Sequence, residues 1–137
     1  MDYRAIVFHK QATSARLRFL LFESGSVCAP QPIPQLAQAH AGQQPETPLH
    51  PAPLIRELTQ AWNFEADSLR AEEGYRFVVE VPNQTIQIVL LALDTIDPPF
   101  EQAERIGARF IDLTQARGLT PVELELLRGA YELVLGG

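Results

Sequence analysis

Residues 74–117 read GYRFVVEVPNQTIQIVLLALDTIDPPFEQAERIGARFIDLTQAR, and the predicted fold is built around this stretch. In residues 75–81 large apolar side chains recur at every second position, a pattern typical of a half-buried β-strand. The sequence Pro-Asn-Gln at 82–84 supplies turn residues, and residues 85–93 continue the alternation. The first half of the stretch therefore predicts a β-hairpin.

Three segments have the spacing of apolar residues that is typical of amphipathic helices: residues 53–62, 100–117 and 121–135. The first and the last carry a proline in the first turn, and the last also begins with a capping box. Gly107 and Gly129 interrupt two of these predicted helices, at a cost of about 1 kcal/mol each relative to alanine. We expect another backbone to approach closely at both glycines.

Residues 3–10 and 15–22 form a second pair of predicted strands joined by a short turn. The prediction is an α+β fold in one domain, residues 1–137, with two hairpins in a mostly antiparallel four-stranded sheet. Three helices would pack mainly on one face of that sheet. The alternative is a ββα duplication with two small layers facing each other, which an alignment of Tyr3-Arg4 with Tyr75-Arg76 indicates.

Residues 27–53 form a Pro/Gln-rich segment that holds seven of the eleven prolines and no Lys or Arg. This composition predicts an extended covering loop, with one or two helical turns at residues 36–41. Long irregular segments within a domain are usually functional or partly disordered. Residues 64–73 predict a polar connection or a short helix.

Composition narrows the classes of partner. The net charge is −6 and the eleven basic residues are scattered, which disfavours nucleic-acid binding because that normally rests on a basic patch. No apolar run reaches the roughly 18 residues that a membrane span needs. One cysteine excludes an internal disulfide and fits a reducing compartment, so we expect a cytoplasmic protein.

Cys28, His40 and His50 lie within the Pro/Gln-rich segment and could in principle bind zinc or support a nucleophile. Their spacings of 12 and 10 residues match no structural zinc motif. The pattern favours a buried free cysteine and two solvated loop histidines, and no metal or other cofactor is predicted.

Asp94 and Asp97 follow the fourth predicted strand, where a carboxylate pair could act in acid–base chemistry or hold a metal. Asp97 precedes a proline, an arrangement that favours a turn over a site. No nucleophile, general base and orienting partner can be assembled from neighbouring residues, so no catalytic residue is predicted.

Apolar residues point to both faces of the predicted sheet. If one face packs on the helices, Val89, Leu91 and Leu93 point the other way, with Leu20 and Phe22 beside them. Such a patch exceeds what a monomer usually exposes, so the Pro/Gln-rich segment, the helix at residues 121–135 or a second copy of the chain must cover it. A symmetric second copy is favoured, and these five residues are the predicted interface of a homodimer.

Two functional hypotheses follow. The first is a non-catalytic protein-interaction or accessory protein that acts as a homodimer. The second is a small enzyme or ligand-binding protein whose site lies under the segment of residues 27–53.

Overall fold

The computed structural model describes residues 2–136. Its strands are β1 (Asp2–Lys10), β2 (Leu17–Leu21), β3 (Cys28–Ala29), β4 (Gln38–Ala41), β5 (Leu69–Ala71), β6 (Phe77–Val81), β7 (Gln84–Leu93) and β8 (Arg109–Ile111). Its helices are α1 (Pro51–Trp62), α2 (Phe100–Arg105) and α3 (Pro121–Leu135), with a 3-10 turn at Leu113–Gln115.

All eight strands join one mixed sheet, in the order β4-β6-β7-β1-β2-β8. The central strands β1 and β7 run parallel, in a register that extends from Asp2 opposite Ile86 to Phe8 opposite Ala92. Every other pairing is antiparallel; β3 pairs with β1 beyond the end of β2, and β5 pairs with β7 beyond the end of β6. The predicted four-stranded, mostly antiparallel sheet is therefore wrong, as is the alternative of two facing layers.

Helices cover both faces of this sheet. On one face α3 buries Leu126, Leu127 and Ala130 against strand residues such as Phe19 and Leu90. On the other face α1 and α2 pack against strand residues such as Leu91. The prediction of helices mainly on one face is wrong, because strands inside a mixed sheet bury side chains in both directions.

The helix predicted over residues 100–117 is also wrong. α2 ends at Arg105, and Gly107 adopts a φ of 75°, a left-handed conformation that suits glycine. The chain then enters β8, which pairs with the outer edge of β2. An ideal Cβ on Gly107 would lie 2.8 Å from Glu23 Oε2, so the nearest neighbour there is a side chain and not a backbone.

The other two helices follow the predictions closely. α3 has the predicted bounds, and the Thr120 side chain accepts a hydrogen bond from the Glu123 amide at its first turn. α1 begins two residues earlier than predicted, where His50 Nδ1 accepts from the Ala52 amide. Within residues 2–136, no helix is long and apolar enough to cross a membrane.

The Pro/Gln-rich segment contains more regular structure than predicted. β3 and β4 lie within it, and the helical turns predicted at residues 36–41 are wrong, since β4 pairs there with β6. Residues 30–37 and 42–50 are irregular, and in the second of these stretches the Leu49 amide donates to Gln87 Oε1 at 2.7 Å. The connection at residues 64–73 contains the short strand β5.

Candidate functional site

The structure buries the residues predicted as a homodimer interface. Leu20 and Leu91 have no exposed surface, and Val89 and Leu93 are buried with them under α1 and α2. Phe22 is half-buried and its ring lies 5.3 Å from that of Trp62 at the end of α1. The patch that argued for a homodimer is therefore covered within the chain. The dimer itself stays a prediction, without that surface to support it.

Cys28, His40 and His50 are not brought together. Cys28 is buried in the core, where burial and, to a lesser extent, the Glu123 carboxylate raise the pKa of its thiol. His40 lies on β4 opposite Val78, and His50 caps α1. Across residues 2–136, no three His, Cys, Asp or Glu side chains are grouped so that they could hold a metal ion.

Asp94 and Asp97 occupy different environments at the end of β7. Asp97 Oδ1 accepts a hydrogen bond of 2.9 Å from Gln11 Nε2, and its carbonyl accepts another from Thr95. Asp94 instead lines a cavity of about 440 Å³. The structure therefore assigns the turn role to Asp97 and places Asp94 in a cavity wall.

This cavity, here called the strand-end cavity, lies at the carboxyl ends of the parallel strands β1 and β7. Phe8 and Ala92 pair across these strands, and Arg70 of β5 pairs with Ala92 from the other side. Apolar side chains form one part of the lining and polar side chains the other. The lining comprises Phe8, Lys10, Ala12, Arg70, Glu72, Ala92, Leu93, Asp94, Thr95 and Val134.

Charged side chains of both signs line the strand-end cavity. Arg70 Nη1 lies 3.4 Å from Glu72 Oε2, an exposed pair that contributes little to stability. Lys10 and Asp94 each stand two residues beyond the paired Phe8 and Ala92. In the part of the chain that the structure describes, neither of them has an ion-pair partner. Their charges are therefore available to a ligand.

His9 positions this site and was missed in the sequence. It is fully buried, and its Nε2 donates a hydrogen bond of 2.8 Å to the Thr95 carbonyl oxygen. Its Nδ1 has no hydrogen-bond partner among the described residues. His9 continues the alternation of Ala5 and Val7 on β1, and this continuation was the available signal for a buried histidine.

Gln11 also forms hydrogen bonds that link the end of β1 to the residues after β7. Its Nε2 contacts the Ile96 carbonyl at 3.3 Å as well as Asp97. Together with His9 it holds residues 95–97 against β1, so one wall of the strand-end cavity is fixed by hydrogen bonds.

A smaller cavity lies under the Pro/Gln-rich segment, where the second functional hypothesis placed a site. It measures about 290 Å³ and lies between residues 44–51 and the connection from β5 to β6. Glu72 borders both this cavity and the strand-end cavity. The strand-end cavity is the larger of the two. Lys10 and Asp94, which have no ion-pair partner among the described residues, line this cavity and not the smaller one.

Comparison with known proteins identifies no relative: neither a family model nor a curated protein matches this sequence.

Proposed function

We propose that the protein binds a small zwitterion with an apolar side group, of the class of a free amino acid, in the strand-end cavity. The observation that carries this proposal is a pair of opposite charges, Lys10 and Asp94, at the ends of adjacent parallel strands. Neither has an ion-pair partner within residues 2–136. An ammonium group on the protein suits a ligand carboxylate, and a carboxylate on the protein suits a ligand amine.

The position in the fold supports the same proposal. In open sheets with parallel strands, ligands commonly bind outside the carboxyl ends of the strands. Here the apolar side chains of Phe8 and Val134 border the charged rim, so the cavity offers a surface for an apolar group beside the charges. A volume of about 440 Å³ falls within the range of small-molecule sites.

The rigidity of the rim adds to this support. His9 and Gln11 hold residues 95–97 through three hydrogen bonds, so the wall next to Asp94 is ordered before a ligand binds. A site that is ordered in advance loses less conformational entropy on binding.

The buried single thiol of Cys28 also suits a reducing compartment, which supports the cytoplasmic location that we propose.

The proposal is tested by isothermal titration calorimetry with a panel of the free amino acids. We expect saturable binding of at least one amino acid with an apolar side chain, weakened about tenfold or more by Lys10→Met and by Asp94→Asn. Asp67→Asn is the matched control, because Asp67 is exposed and lies outside the cavity lining.

Two results would overturn the proposal. One is that no amino acid of the panel gives saturable heat with the wild-type protein. The other is that Asp94→Asn binds the amino acid with the same affinity as the wild type, which would separate binding from the charge in the cavity.

A homodimer remains a second proposal, supported by one feature of the surface. Leu36 precedes the edge strand β4, adopts a φ of 61° and is 84% exposed. A large apolar side chain held outward in the left-handed region is uncommon and suits a contact with another chain. Light scattering coupled to gel filtration tests it: a dimer has twice the 15.3 kDa chain mass, and Leu36→Asp should reduce it to a monomer.

A further inference from the structure

A second cavity, here called the α3 cavity, lies on the opposite side of β1 from β7. It measures about 580 Å³. Residues 15–17 at the start of β2 form one wall, residues 112–114 form another, and a stripe of α3 forms the third. That stripe consists of Arg128, Tyr131 and Leu135, whose spacing of three and four places them on one helical face.

The charges in this cavity leave one cation without a partner. Arg16 donates to Asp112 through Nε at 3.1 Å and through Nη2 at 2.9 Å, so these two charges balance each other. These hydrogen bonds hold the pKa of the Asp112 carboxyl below its usual value, which keeps the pair ionised at neutral pH. Arg128 has no carboxylate partner in residues 2–136. The lining therefore has a net charge of one positive unit (two arginines and one aspartate) on a chain whose net charge is −6.

The remaining lining groups indicate the shape of the ligand. Leu17, Leu113 and Leu135 provide apolar surface, and the hydroxyl groups of Thr114 and Tyr131 provide hydrogen-bonding atoms. Tyr131 is 40% exposed, so part of its side chain is free to contact an aromatic or aliphatic group. A guanidinium beside apolar surface suits a carboxylate that is attached to an apolar body.

We infer that the α3 cavity binds a small organic monoanion, a carboxylate with an apolar ring or chain, with Arg128 as the anchor of the carboxylate. This site is independent of the strand-end cavity and shares no lining residue with it. Arg16 and Asp112 form a neutral wall, and Tyr131 contacts the apolar body of the ligand.

The experiment titrates phenylacetate into ¹⁵N-labelled protein and follows the amide resonances by NMR. We expect saturable shifts concentrated at residues 15–17, 112–114 and 128–135. Arg128→Gln should weaken binding about tenfold or more, while Arg117→Gln, an exposed arginine outside the cavity, should bind as the wild type does. Phenylacetamide has the same shape without the charge, and its affinity should be lower than that of phenylacetate by about tenfold or more.

Three other outcomes would each overturn the inference. These outcomes are no saturable shift with phenylacetate, shifts centred elsewhere in the chain, and equal affinity of the wild type and Arg128→Gln. Binding that is abolished by Lys10→Met and unaffected by Arg128→Gln would place phenylacetate in the strand-end cavity instead. Loss of amino-acid binding, by contrast, would leave this inference unaffected, because different variants and a different probe test it.

Discussion

Gly129 is a helical glycine whose role depends on one aromatic side chain. It lies in α3, and an ideal Cβ at this position would come within 2.6 Å of Phe77 Cζ on β6. Real Cβ atoms do not approach other atoms so closely, and the ring is 8% exposed and packed in the core. The absence of a side chain at Gly129 thus lets α3 lie against the sheet.

We predict that Gly129→Ala destabilises the protein by about 1–3 kcal/mol, because overpacking outweighs the gain of about 1 kcal/mol in helix propensity. Urea denaturation measures the change in the free energy of unfolding. In a Phe77→Leu background the same substitution should cost less, since the clashing ring atoms are gone, and a double-mutant cycle reports the difference. A neutral or stabilising Gly129→Ala in the wild-type background would contradict this account.

The ion pair of Arg16 and Asp112 predicts a pH dependence of stability. In the folded protein its hydrogen bonds lower the pKa of Asp112 below 3.8, the ordinary value for an aspartate. A carboxyl with a lowered folded pKa stabilises the fold above its unfolded pKa and loses that contribution as the pH falls through the folded value. We expect the stability difference between wild type and Asp112→Asn to be constant near neutral pH and to shrink below about pH 4.

Arg16→Gln provides the matching measurement for that prediction, since it removes the cause of the lowered pKa. Its stability difference from wild type should shrink over the same acidic range. The effect will be small, because Arg16 is 53% exposed and exposed ion pairs contribute little. A difference that grows as the pH falls would have the wrong sign and would contradict the assignment.

At the scale of elements, residues 42–47 of the Pro/Gln-rich segment form an exposed loop. Residues 42–47 contain no helix or strand, and all but Pro45 are exposed. Limited proteolysis should cut within residues 42–47 before it cuts any strand, since exposed loops with small polar residues are preferred sites. Mass spectrometry identifies the first cut, and a first cut inside β7 would contradict the prediction.

The elements that sequence alone could predict are those whose signals are local. The bounds of α3 follow from a capping box, a proline in the first turn and a terminal glycine; Gly136 indeed has a φ of 75°. β1, β2, β6 and β7 follow from alternation over five or more residues. Short strands such as β3, β5 and β8 have two or three residues and carry no such pattern. They are strands because a neighbour offers hydrogen bonds, which a local pattern does not report.

The sequence contains a signal for the parallel pairing of β1 with β7, and that signal has two interpretations. Apolar residues on both faces of residues 85–93 led to a predicted homodimer. The same pattern is typical of a strand inside a sheet that helices cover on both faces. Asp94 was a candidate in the sequence, but Lys10 and Arg70 were not, because only the register of three strands brings these side chains to one cavity.

At the scale of the whole molecule, the cover over the second sheet face is intramolecular. Leu91 has no exposed surface and lies in the cluster that α1 and α2 complete. We predict that Leu91→Asp destabilises the protein by at least about 4 kcal/mol, because it buries a charge without a partner. Thermal denaturation should show the same loss at every protein concentration, since no second chain covers this residue.

Ile96→Asp is the control for that substitution, as Ile96 is 87% exposed on the connection from β7 to α2. It should change stability by no more than about 0.5 kcal/mol. A Leu91→Asp protein that stays folded and merely halves its mass in light scattering would show that this face belongs to an interface after all.

The central pairing of β1 with β7 also has a consequence for biosynthesis. β1 leaves the ribosome about 80 residues before the strand that becomes its parallel partner. At typical translation rates of about 5–20 residues per second, this interval lasts about 4–16 s. During that time β1 can pair with β2 and β3, and α1 has already been synthesised, but the edge of β1 that pairs with β7 and the face that α3 covers stay open. One edge of an apolar strand thus stays unpaired until residue 93 has emerged, and an unpaired strand edge is open to pairing with another chain.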